Sequence, residues 1–151
     1  MLPGWKRAYE AMWSILPITC EHIARSSITP GAILQSAELS GATIQTGVIP
    51  RWWEHDSGPG LYSKMELFDR VFADVSIPAG EVILITDACF PITAREPFFC
   101  FGASLREFIA QQSLFVFDGD VVFLWSQARR ISVFHHEGMF AQIDCIATLK
   151  D

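Results

Sequence analysis

An α+β fold, helices early and an antiparallel meander late, is what this sequence predicts. Three observations carry that expectation. Apolar residues recur at helical spacing near the N-terminus and in two mid-chain segments. Short runs of β-branched and aromatic residues, separated by Gly-containing turns, fill the last third. Half of the 151 residues are apolar and 13% are aromatic, enough for the core of a single globular domain spanning 1–151.

The first helix is expected over residues 5–16. Trp5, Tyr9, Met12, Trp13 and Leu16 recur at steps of three and four, and Pro17 stops the run. Residues 18–50 are irregular by pattern, broken at Thr29-Pro30-Gly31, Gly41 and Gly47, with room for a short helix over 32–39 and a strand over 42–49. Residues 51–60 hold Trp52-Trp53-Glu54-His55-Asp56 and then three breakers in four residues, so a loop is expected.

Ser63-x-x-Glu66 has the form of a capping box and opens a helix over 63–72. Pro78-Ala79-Gly80 turns the chain into a strand over 81–86, whose Val-Ile-Leu-Ile centre suits burial on both faces. A second short strand follows over 98–101. Ser104-x-x-Glu107 repeats the capping pattern and predicts a helix over 104–112.

The meander is expected to begin with strands over 114–117 and 120–125 joined by an Asp118-Gly119 hairpin turn. Strands over 131–135 and 139–146 complete it. In the last, Gln142 and Asp144 alternate with Ala141, Ile143 and Cys145, which predicts one wet and one packed face. Helices are then expected to cover one side of the sheet.

The charge is −6, with both halves of the chain net acidic. The adjacent basic pairs are Lys6-Arg7 and Arg129-Arg130, too few for the basic stripe that a phosphate backbone needs, so no nucleic-acid partner is expected. The longest charge-free stretches, 26–37 and 39–50, fall short of the roughly 20 apolar residues of a membrane span. Neither they nor the N-terminus reads as a membrane or secretion segment. Cys20, Cys89, Cys100 and Cys145 are too scattered for a disulfide framework or a metal ribbon, which suits reduced thiols in a cytoplasm. No phosphate-loop, dinucleotide, nucleophile-elbow or zinc-helix motif is present, and no cofactor is expected.

Four groupings carry polar chemistry. His135-His136-Glu137 offers metal ligands or an acid–base pair, but adjacent residues of a strand face opposite ways, which argues against one shared ion. Cys20-Glu21-His22 lacks the surroundings of a thiol nucleophile. Asp87 follows a strand, and Asp118 is explained by its turn. Trp52, Trp53, Glu54 and Asp56 combine aromatic anchors with carboxylates, as partner-binding surfaces do.

The expected function is therefore non-enzymatic. The profile is that of a bacterial immunity or antitoxin-like protein, which neutralises a basic toxin by covering its working surface. Trp52, Trp53, Glu54 and Asp56 would form the contact, with Asp118 and Asp120 as a second acidic patch. The alternative is a small-ligand binder or hydrolase-like enzyme built around His135, His136 and Glu137. The aromatic surplus also allows a homo-oligomer.

Overall fold

The computed structural model describes residues 2–16, 29–50, 62–113 and 116–145. Helix α1 is Pro3–Ile15, two residues earlier than its apolar stripe begins, because Pro3 suits the first helical turn, where no N–H is needed. Trp5, Ala8, Tyr9, Met12 and Ile15 are buried. Trp13, expected on the same face, is instead 42% exposed. Helix α2 (Pro30–Ser40) is capped by the Thr29 hydroxyl, which accepts from the Ala32 N–H, and ends at Gly41 in the left-handed region, φ 78°. Strand β1 (Thr43–Val48) follows at once.

Helix α3 (Lys64–Val71) opens with the expected capping box, both halves of it formed between Ser63 and Glu66. Strands β2 (Glu81–Ile85) and β3 (Phe98–Phe101) come next, then helix α4 (Leu105–Gln111). Ser104 does not cap α4. A 3-10 turn, Gly102–Ser104, runs directly into the helix, and the Ser104 hydroxyl bonds back to the Phe101 carbonyl instead. Strands β4 (Val121–Trp125), β5 (Arg130–Phe134) and β6 (Met139–Asp144) complete the described elements.

The six strands form one antiparallel sheet in the order β1-β6-β5-β4-β2-β3. The expected meander is present in β4, β5 and β6, but its first strand is not. Val116–Asp118 is a 3-10 turn, and residues 114–115 lie outside the described residues. The reason is topological. Strand β4 already bonds β5 on one edge and β2 on the other, so a strand at 114–117 cannot pair with it as a hairpin. Gly119 is also not left-handed; among the described residues the left-handed glycines are Gly41 and Gly138. Its lack of a side chain serves a close approach instead, since a Cβ there would stand 2.0 Å from an Asp87 carboxylate oxygen.

Helices cover both faces of the sheet, not one. On one side α1 and α2 pack on Ile83, Ile85, Val122, Leu124, Ile131, Val133, Ala141 and Ile143. On the other α3 and α4 pack on Val82, Leu84, Val121, Phe123, Trp125 and Phe134. Strand β4 is buried at every position and β2 at all but its first. Strands apolar on both sides must be covered on both sides. Gln142 is therefore buried rather than wet. Its amide donates to the Val71 carbonyl at the end of α3 (2.8 Å), and its Oε1 accepts from the Ser132 hydroxyl. A polar pair inside an apolar layer is tolerable because each group is satisfied.

Candidate functional site

The antiparallel order brings the end of β2, the start of β4 and the end of β5 to the same end of the sheet. Asp87, Asp120, His135 and His136 occupy those positions. Strand β5 stops at Phe134, and residues 135–138 form the turn into β6. The His135 N–H donates to the Met139 carbonyl (2.7 Å), and the Gly138 N–H donates to the His135 carbonyl (2.8 Å). Gly138, at φ 103°, supplies the left-handed residue that closes the turn.

Leaving the strand releases the side chains from alternation. The rings of His135 and His136, expected on opposite faces, lie together with centroids 4.1 Å apart. Asp120 joins them. One of its oxygens, Oδ1, accepts the His136 backbone N–H (2.9 Å) and lies 2.8 Å from Nδ1 of the same residue. The His135 Nδ1 accepts the Glu137 N–H at 3.1 Å. The Glu137 carboxylate is 74% exposed and stays 3.8 Å from that nitrogen. The third group beside the histidines is thus Asp120, and not Glu137. The signal was available in the strand register: Val121 pairs with Phe134, which sets residue 120 across from residue 135.

A cavity of about 120 Å³ adjoins this cluster, lined by Thr29, Ile85, Thr86, Asp87, Phe90, Asp120 and Val122. Asp87 opens a 3-10 turn, Asp87–Cys89, in which the Thr86 hydroxyl accepts the Ala88 N–H. Asp87 and Asp120 therefore line one small space of mixed polarity, and Asp120 links it to the two imidazoles. Such a space holds water or a small ion more readily than an organic substrate.

A second surface feature lies at one edge of the sheet. Strand β3, Phe-Phe-Cys-Phe, is an edge strand, bonded among the described residues to β2 alone. Phe101 on it is 61% exposed. Arg7 lies over the Phe99 ring, 4.3 Å from its centroid, and pairs with Glu81. Edges are ordinarily protected with charge, proline or a covering element; Arg7 supplies charge at Phe99, whereas Phe101 stays exposed.

Trp52, Trp53, Glu54, His55 and Asp56, together with Cys20 and His22, lie outside the described residues, and of Asp118 only the backbone is described. Cys89 and Cys145 are buried and Cys100 is half-buried. Burial raises all three above the ordinary thiol range, Cys100 to about 11. None of the three is a poised thiolate. Comparison with protein-family models, with curated proteins and with solved structures returns no match to this chain.

Proposed function

We propose that this chain is a protein-binding module that neutralises a basic partner, in the manner of an immunity protein covering a toxin's working surface in the cytoplasm. The observation that carries the reading is the aromatic β3 edge, with Phe101 61% exposed, on a chain of net charge −6. An edge strand offers unpaired main-chain donors and acceptors to an incoming strand, and exposed Phe offers apolar area. The acidic exterior draws a basic protein toward that edge.

By sequence, Trp52, Trp53, Glu54 and Asp56 belong to the same reading as further contacts. Asp120 is a weaker part of it, since its carboxylate is already engaged with His136.

The test is affinity capture from the source cells at low salt, comparing the native chain with Phe101→Lys and with Trp52→Ala/Trp53→Ala. A basic protein retained by the native chain, lost or much reduced in a variant, and relieved of its toxicity by co-expression of the native chain, supports the reading. Capture of no basic protein, or of one that both variants hold equally, ends it.

A further inference from the structure

We propose that Asp120, His135 and His136 form a binding site for a divalent first-row transition metal ion, with zinc as the natural probe. Each of the three offers a ligand atom, and these atoms all lie within 4.8 Å of one another. Zinc takes imidazole nitrogen and carboxylate oxygen at roughly 2.0–2.2 Å in tetrahedral sites, so its ligand atoms stand about 3.3 Å apart. The remaining closure is within reach of side-chain rotation, because the three side chains are 28%, 26% and 56% exposed for Asp120, His135 and His136.

The backbone already does part of the assembly. The 135–138 turn sets the two rings side by side, and the His136 N–H fixes one Asp120 oxygen beside them. Asp120 is in turn fixed by the pairing of β4 with β5. The set is thus anchored at the start of β4 and in the short turn between the paired strands β5 and β6, which brings the ligand atoms near one another before an ion arrives.

The donor chemistry selects the ion. Two imidazoles and one carboxylate suit zinc, cobalt, nickel or copper, whereas calcium and magnesium prefer oxygen alone. Three protein ligands leave one tetrahedral position for water or for a donor from another molecule. The cavity lined by Asp87 and Asp120 places a second carboxylate near the site and adds to the local negative potential.

The inference stands apart from the proposed partner binding and is tested on the full chain alone. Titration with Co²⁺, followed by its visible ligand-field absorption, and with Zn²⁺, followed by calorimetry, should show one saturable equivalent that depends on these residues. His136→Ala and Asp120→Asn should each weaken binding about tenfold or more, and His135→Ala/His136→Ala should abolish it. Zn²⁺ should raise the Tm of the native chain and not that of the double variant. Should the double variant fail to fold, His136→Ala decides, since that side chain is mostly in solvent. Absence of saturable binding by the native chain overturns the site. So does an affinity that changes less than tenfold in both single variants, which would place the ion on other residues such as His22 or His55.

Discussion

Gly102 leaves no room for a side chain. A Cβ there would stand 1.6 Å from the Pro78 carbonyl oxygen, and the Gly102 N–H is bonded to the Gly80 carbonyl at 2.7 Å. The obstacle is the Pro78 backbone, which no rotamer can move, and the hydrogen bond to Gly80 holds Gly102 against it. Gly102→Ala should therefore destabilise the fold by about 3 kcal/mol or more, at the upper end of overpacking costs, read as a lowered midpoint in urea. Trp125 is a different case. Its indole N–H is buried and has no hydrogen-bond partner among the described residues, so Trp125→Phe removes a donor they leave unsatisfied, along with some volume. The loss should be clearly smaller than the roughly 3–5 kcal/mol of a large-to-Ala change, in the same unfolding measurement. At this scale the sequence was readable wherever one residue acts on its own neighbours, as Ser63 does on Glu66. It was not readable for Gly102, whose constraint comes from residues 78–80 across a chain crossing.

Each element was legible to the extent that its partners were. Helix α3 shows this: its cap and stripe are local, but what it covers is Gln142, far along the chain. Alternation in β6 marked Gln142 as solvent-facing because the pattern carries no information about which helix returns over it. Gln142→Glu gives a signed test. Burial penalises the carboxylate, and the protonated acid can still donate to the Val71 carbonyl. The folded-state pKa then lies above the unfolded one, so the variant's stability is greatest at low pH and is lost as pH rises through the folded value. Unfolding curves at several pH values check it, and a variant that loses stability toward low pH, relative to the native chain, refutes it. The tie between α3 and α4 behaves oppositely. Hydrogen bonds from Arg106 hold Asp69 below its ordinary value near 3.8. Its contribution is present above that value and disappears as pH falls through the folded one. Both side chains are more than half exposed, so Asp69→Asn should cost under about 1 kcal/mol near neutrality. The strand expected at 114–117 failed for a related reason: hairpin chemistry at Asp118-Gly119 is local, whereas the occupancy of both edges of β4 is not.

For the whole molecule, the charge of −6 and the aromatic edge make a prediction that neither makes alone. Long-range attraction between an acidic surface and a basic partner speeds encounter, and salt screens it, with a Debye length of about 10 Å at 0.1 M. In the proposed complex, strand addition along β3 and burial of Phe101 would act only at contact, where screening is weak. Association and dissociation should therefore separate. Raising ionic strength from about 0.05 to 0.5 M should slow association with the captured partner roughly tenfold or more and leave dissociation nearly constant. Phe101→Lys should do the reverse. It speeds dissociation strongly, while its single added charge alters association only slightly, and because Phe101 is mostly exposed the unfolding midpoint stays near that of the native chain. Stopped-flow or surface-plasmon kinetics at two salt concentrations on both proteins distinguish the cases. An association rate indifferent to salt would mean the acidic exterior serves solubility alone, and a dissociation rate indifferent to Phe101→Lys would move the contact off the β3 edge.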